Sequence, residues 1–185
     1  MKLNIIITST RPGRNGKPVG DWMFDYAKAH DAGFEVVLTD LADLALPVMD
    51  EPNHPRLKKY VHEHTKTWSA IVEGSDAFVF VLPEYNFAPP PSFVNALDYL
   101  SQEWACKPCA FVSYGGVSGG LRSVQVAKQI VTALKMMPLP EQVVIPMVFG
   151  HLSEGKFTAE KLHEDSAGAM VAELARWAKA LAVLR

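Results

Sequence analysis

Apolar runs of strand length alternate along this chain with longer stretches whose apolar residues recur at helical spacing, the pattern of βαβ units and a parallel sheet. Residues 2–8 read as the first strand. A helix opening near Pro18, whose missing N–H is harmless in a first turn, sets Val19, Trp22, Met23, Tyr26 and Ala27 on one face before Gly33 ends it. Residues 35–39 give a second strand. The following stretch, 40–55, contains Pro47, Pro52 and Pro55 and is predicted to lie irregularly over the surface. A second helix is expected over 56–73, and Gly74, Ser75 and Asp76 turn it into a third strand over 77–82. After Pro89, Pro90 and Pro91, the spacing of Phe93, Leu97 and Leu100 predicts a third helix, and Pro108 opens a fourth strand. A fourth helix runs from Gly119 or Gly120 to Met136, and residues 136–140 are apolar but irregular. Residues 143–149 form a fifth strand, and 159–184 a closing helix that turns Met170, Leu174, Trp177 and Leu181 inward.

Five such units give an α/β protein with a three-layer, doubly wound, five-stranded parallel sheet of order 2-1-3-4-5, in a single domain over residues 1–185. Ligands of these sheets bind at the carboxyl ends of the strands, where the order reverses. The loops after strands 1 and 3 therefore flank the site, with the loop after strand 4 next to them. In a chain of 185 residues, 49% hydrophobic and 21% charged, there is enough apolar material for one real core. A net charge of -2 gives no electrostatic case for nucleic acid or an anionic membrane, and argues against a strongly acidic electron carrier. The apolar start of the chain is too short for a signal-peptide core, and no apolar run approaches the roughly 18 residues of a membrane span. A cytoplasmic location is expected, and two cysteines cannot form a secreted disulfide framework.

Three loops carry the chemistry. Loop 1, residues 9–16, combines the hydroxyls of Ser9 and Thr10 with Arg11, Arg14, Gly13 and Gly16, directly before a helix. Amides at a helix start carry partial positive charge and arginine pairs with a dianion, so this reads as a phosphate cradle rather than a plain solvated turn. Its spacing fits neither the dinucleotide G-x-G-x-x-G fingerprint nor the P-loop, which favours a mononucleotide. Loop 2 follows the third strand with Pro83, Glu84, Tyr85, Asn86 and Phe87, offering aromatic faces beside a two-way hydrogen-bonding side chain. Alone it is an ordinary aromatic loop. Loop 4, with Ser113, Tyr114, Gly115, Gly116, Gly119 and Gly120, lets backbone approach a flat ring and so changes the balance toward a flavin.

These stretches, together with Asn95, Ala96, Leu97 and Asp98 and with Leu121 and Arg122, resemble the NADPH-dependent FMN reductases of the flavodoxin-like fold. The resemblance runs over nearly the whole chain. It implies that Ser9, Arg11, Gly16, Lys17, Pro18 and Val19 hold the phosphate of FMN, that Pro83, Glu84, Tyr85 and Asn86 contact the isoalloxazine ring, and that Ser113, Tyr114 and Gly115 border its other edge. It further implies NADPH or NADH as co-substrate and a small acceptor such as a flavin, quinone, azo compound or metal oxyanion. The expected course is ping-pong hydride transfer in one pocket, with no catalytic acid, base, nucleophile or metal in the protein. A homodimer or a tetramer with the flavin near the interface is also implied. The chain departs from the family pattern at Thr8, Arg14, Gly16 and Val94. Phe87 to Pro91 replaces a smaller, Gly-containing loop, so a narrower or more apolar acceptor pocket is expected.

Three other features invite chemistry. Cys106 and Cys109 have C-x-x-C spacing, but the motif leads into a strand at the far end of the sheet, and a redox pair needs a helix N-terminus. His62 and His64, two apart on the expected helix, should point to different faces. Asp50 and His54 are assigned no role. The rival functions are a flavodoxin-type electron carrier and a non-enzymatic FMN-binding sensor. A receiver domain is disfavoured because the third strand ends in Leu82 and Pro83, with no aspartate to phosphorylate.

Overall fold

In the computed structural model, which describes residues 1–30 and 32–185, strand β1 (Lys2–Ile7) leads into helix α1 (Gly16–Ala29), and β2 (Glu35–Asp40) into the short α2 (Leu41–Leu44). Helix α3 (Glu63–Glu73) precedes β3 (Ala77–Pro83), and α4 (Pro91–Asp98) precedes β4 (Pro108–Tyr114). Helix α5 (Leu121–Ala133) is followed by two short strands, β5 (Met137–Pro138) and β6 (Val143–Ile145). A two-stranded hairpin, β7 (Leu152–Ser153) and β8 (Lys156–Phe157), leads to α6 (Lys161–Leu181).

The sheet has the order β2-β1-β3-β4-β5, with β6 also pairing to β4, and all of these pairings are parallel. Alternation along the strands divides their side chains between two cores. Leu3, Ile5, Val79, Val81, Ala110 and Val112 pack against Val19 and Met23 of α1 and Met170, Val171 and Leu174 of α6. Ile6, Phe78, Phe80, Leu82 and Phe111 pack on the opposite face against α3, α4 and α5 through Trp68, Phe93 and Val124. Burial on both faces explains why β3 and β4 read as unbroken apolar runs. No helix among the described residues is long and apolar enough to cross a membrane.

Several boundaries differ from the sequence reading. Helix α1 starts two residues before Pro18 and stops at Ala29, ahead of Gly33. The helix expected over 56–73 begins only at Glu63, because Pro55–Leu57 is a 3-10 turn and Lys58 is left-handed at φ 50°. The amides of Val61 and His62 are taken by the carboxylate of Glu51 at 2.9 and 3.0 Å, so a helix cannot extend upstream through them. The fifth strand position is divided. Residues 143–149 supply only Val143–Ile145, since Pro146 has no N–H for the ladder and Met147 turns at φ 47°. Met137–Pro138, expected to be irregular, pairs with Pro108 and Cys109 at the other end of β4. In α6, Met170 and Leu174 are buried as expected, while Trp177 and Leu181 are only half-buried.

Candidate functional site

The loops after β1, β3 and β4 meet over one cavity of about 520 Å³ at the carboxyl end of the sheet. Arg11, Pro83, Glu84, Tyr85, Asn86, Tyr114 and Gly115 line it, joined by Asn15, Gly116, Val148 and Phe149. A larger cavity, about 790 Å³, lies between α2 and α4 and is walled largely by apolar residues such as Leu41, Leu46, Val48 and Val94. It shares only Thr10 with loop 1 and holds none of the residues expected to contact the ring, so the smaller cavity is the candidate site.

Ser9 leaves β1 fully buried, and its Oγ accepts a hydrogen bond from the Tyr114 hydroxyl at 3.2 Å. This bond ties loop 1 to the end of β4, beneath the cavity that Ser9 itself does not line. Gly16 opens α1 against the same pair: a Cβ there would stand 2.2 Å from Ser9 Oγ and 2.6 Å from the Tyr114 hydroxyl. Only glycine lets the helix start come this close. The start carries no side-chain cap and no acidic residue in its first turn, so its amides and the positive end of its dipole remain unsatisfied by the protein. That is a cradle fitted to an anion beside a hydroxyl.

The cations nearby divide by partner. Arg14 Nη2 lies 2.5 Å from Asp40 Oδ2 in a largely buried pair, and Asp40 also accepts from the Ala42 amide at the start of α2. Lys17 is paired with Asp21 one turn along the exposed side of α1. Arg11 lines the cavity and makes no ion pair among the described residues. Pro18 sits in the first helical turn and has no N–H, while Val19 is wholly buried in the core with its side chain turned away from the loops. Ser113 does not line the cavity. It is buried in β4 beneath Gly120, and its hydroxyl has no hydrogen-bond partner.

Loop 2 is a tight hairpin. Tyr85 and Ala88 exchange backbone hydrogen bonds of 2.9 and 3.0 Å, leaving Asn86 and Phe87 at the centre with φ of 51° and 69°. Two positive φ angles define a type I′ turn, which suits Asn at the first position and Gly at the second. Phe87 there costs about 1–2 kcal/mol of backbone strain. Glu84 directs its carboxylate toward the start of α5, accepting from Ser118 Oγ at 2.8 Å and Arg122 Nε at 2.7 Å. Burial pushes the Glu84 carboxyl up, but the hydrogen bonds from Arg122 and Ser118 outweigh it and hold the group below the usual carboxylate range. Tyr114 is the opposite case, its phenol raised chiefly by burial.

Val148 and Phe149 lie within the strand expected over 143–149, which hides them as cavity-lining residues. The signal was Pro146 inside the apolar run, which ends pairing and frees the next residues to form a loop. The histidines also differ from expectation. His62 lies outside α3 in extended backbone, so helical spacing does not apply, and its ring stacks on His64 at 5.1 Å with Asp50 within 3.9 and 3.0 Å of the two Nε2 atoms. Cys106 turns at φ 59° just ahead of β4, and Cys109 is buried inside the strand, where burial raises its thiol pKa strongly. Neither cysteine occupies a helix start.

A protein of Paracoccus denitrificans described as a flavoenzyme NAD(P)H:(acceptor) oxidoreductase superposes with a TM-score of 0.74 over 97% of each chain at 20% identity, which establishes a shared fold. Sequence reaches further. An NAD(P)H-dependent FMN reductase of Nectria sp is 34% identical over 154 residues, 80% of this chain and 77% of the relative. Another from Schizosaccharomyces pombe is 35% identical over 156 residues, 83% of this chain and 77% of the relative. The family model for NADPH-dependent FMN reductases matches residues 1–150, which include every residue lining the candidate cavity. On that extent of agreement, the chain belongs to the NADPH-dependent FMN reductase family.

Proposed function

We propose that the chain is an FMN-dependent NAD(P)H oxidoreductase whose single flavodoxin-like domain, residues 1–185, holds FMN in the 520 Å³ cavity and serves a small-molecule acceptor. The observation that carries this reading is the meeting of the uncapped start of α1, the unpaired cation Arg11 and the buried hydroxyl of Ser9 beside the aromatic loop 2. The FMN phosphate is bound by the Gly16 and Lys17 amides, by Ser9 Oγ, which keeps its own proton to donate while accepting from Tyr114, and by the Arg11 guanidinium. Lys17 contributes its backbone and not its ammonium, which is already paired, and Pro18 and Val19 shape the first turn without donating to the ligand. Arg14 acts indirectly by fixing loop 1 to Asp40.

The ring lies against Pro83, Tyr85 and Asn86, with Tyr114 and the Gly115 backbone at its other edge and Ser113 supporting that edge from within β4. Bound FMN supplies the redox chemistry, taking a hydride from NADPH or NADH and passing electrons to the acceptor in the same place. Phe87 and Phe149, 62% and 72% exposed at the mouth, favour flat, partly apolar acceptors such as quinones or free flavins. By likeness to the family, the working form is read as a homodimer or a tetramer of dimers, in the cytoplasm where NAD(P)H is supplied.

Purified protein tests this directly. The expected result is a flavin absorption spectrum, present on isolation or after FMN is added, that bleaches anaerobically with NADPH or NADH and recovers when a quinone is supplied. A colourless protein that cannot take up FMN refutes the reading, and a flavin spectrum indifferent to both nucleotides replaces it with the electron carrier or sensor. Sedimentation velocity checks the dimer, and cell fractionation the compartment.

A further inference from the structure

The start of α5 holds loop 2 at more points than its own capping requires. Glu84 Oε1 accepts from Arg122 Nε at 2.7 Å and is also paired with Arg122 Nη2; Oε2 accepts from the Arg122 amide at 3.2 Å and from Ser118 Oγ at 2.8 Å. The next residue, Ser123, is fully buried and donates to the Pro83 carbonyl at 2.8 Å. The Arg122 guanidinium also lies over the Phe87 ring, 3.8 Å from its centroid. One side chain thus grips the root of the hairpin by an ion pair and its strained tip by stacking.

That grip has something to resist. Phe87 is left-handed and mostly exposed, so burial does little to keep it there, and strained backbone persists only where its surroundings over-determine it. The anchor itself is rigid. Gly120, the residue before α5, has φ 85°, and a Cβ there would stand 2.9 Å from Ser113 Cβ and from the Tyr114 amide, so the helix start is pressed onto β4. Arg122 therefore refers the hairpin to the sheet. The charge matters as well: among the described residues Glu84 is the only acidic one lining the cavity, and Arg122 neutralises it.

We infer that Arg122 is a positioning residue that holds the strained Tyr85 to Ala88 hairpin in its ring-facing shape and cancels the Glu84 charge beside a cofactor that gains negative charge on reduction. This rests on the reading that loop 2 faces the flavin ring. In flavin-free protein, Arg122→Met should speed hydrogen exchange of the Tyr85 and Ala88 amides about tenfold, the factor that corresponds to releasing strain of the expected size. In the holoprotein it should weaken FMN binding about tenfold. It should also lower the reduction potential by about 30 mV, a tenfold loss in the relative affinity for reduced flavin at two electrons.

The components separate in other backgrounds. Phe87→Gly, which tolerates positive φ, should shrink the Arg122→Met effect on FMN affinity and exchange to under about threefold. Glu84→Gln alone should shift the potential the opposite way, upward, because it removes the negative charge that Arg122 offsets. Arg122→Lys, which keeps the charge but loses the planar stack, should restore the potential and leave the affinity weakened. Should Arg122→Met fold poorly, the Arg122→Lys and Phe87→Gly proteins carry the same comparison. Unchanged amide exchange together with FMN affinity within about threefold overturns the inference. So does an undiminished affinity loss in the Phe87→Gly background. Wild-type protein that binds no FMN sinks the functional reading and the charge role with it, while the exchange measurement still decides the hairpin.

Discussion

Replacing Gly16 with alanine is the sharpest test of the cradle at the start of α1, because two effects of opposite sign compete there. Alanine is the better helix former by up to about 1 kcal/mol, and by less in a first turn, so propensity alone predicts a slightly more stable protein. Against this, the new Cβ would stand 2.2 Å from Ser9 Oγ and 2.6 Å from the Tyr114 hydroxyl. Ser9 can rotate away only by giving up the proton it accepts from Tyr114, worth about 1 kcal/mol. Tyr114 cannot retreat, since its ring belongs to β4 and is only 5% exposed. Overpacking of this kind costs about 1–3 kcal/mol, so the net effect is a loss near 2 kcal/mol. In a chain of this length that lowers Tm by roughly 4–8 °C. Displacing the first turn should also weaken FMN binding at least about tenfold, because the amides no longer converge with Ser9. Calorimetry of the flavin-free protein and fluorescence titration with FMN measure the two effects separately. Gly150→Ala, with open space around its Cβ, is the control. If Gly16→Ala melts within about 1 °C of wild type and binds FMN as the control does, the close approach is not what the site depends on.

Arg11→Ala should weaken FMN binding about ten- to a hundredfold while leaving the stability of the flavin-free protein unchanged, as loss of a charge-assisted bond at an unpaired side chain implies. Arg14→Ala should cost about 3 kcal/mol in urea denaturation by leaving Asp40 buried and unpaired; interchanged phenotypes would reverse the assignment of the two arginines. Burial, reinforced by the nearby Arg185 cation, pushes the Lys107 ammonium from 10.5 down to about 8. The folded state then binds fewer protons than the unfolded one between those values, so wild-type stability should rise relative to Lys107→Met from pH 8 to 10.5, by at most about 3 kcal/mol. A difference that stays flat with pH refutes this. Cys106→Ala should leave flavin reduction by NADPH at the wild-type rate in stopped flow, whereas a tenfold loss would return the C-x-x-C pair to the chemistry.

What could be read in advance depended on whether a residue's conformation is decided by its neighbours in sequence or by distant groups. Strands β1, β3 and β4 are buried on both faces, and their apolar runs, with the turn residues behind them, identify them without tertiary information. The strand order followed, and with it the meeting of the loops after β1 and β3 over one cavity, because the switch point lies between those strands. The start of α3 could not be read the same way. Residues 56–62 have acceptable helix composition, and what stops the helix from starting earlier is Glu51 capturing the Val61 and His62 amides from ten and eleven positions upstream. The same stretch is fastened by Tyr60 to the buried Glu103 at 2.8 Å, and the irregular segment before it by Asn95 to the Pro47 carbonyl at 2.7 Å. Within loop 1 the residue types suit an anion, but which arginine is left without an ion pair depends on Asp40, at the end of a different strand.

The cavity's fourth wall shows how a defect in the sheet becomes part of the site. β4 is matched on its outer side by β5 at Pro108 and Cys109 and by β6 at Val112, Ser113 and Tyr114, and the chain steps across the gap between them. One continuous strand would have carried residues 146–149 straight on, past the loops. Instead Pro146 stops the ladder, Met147 turns back, and the Met147 and Val148 amides donate to the Gly116 and Gly115 carbonyls at 2.9 and 3.0 Å. Loop 4 is thereby fastened from outside, Val148 goes into the core at 2% exposure, and Phe149 is left at the rim at 72%. Phe87 stands on loop 2 in the same condition, exposed and outside both cores. Ser9, Gly16, Tyr114 and Gly120 are each fixed by contacts that also hold the fold together, so substitution there costs stability along with binding. Phe149 lacks that constraint, whereas Phe87 is tied to the hairpin by its positive φ and its stack under Arg122. Phe149 is the position at which a chain of this architecture can change what it accepts without disturbing how it folds.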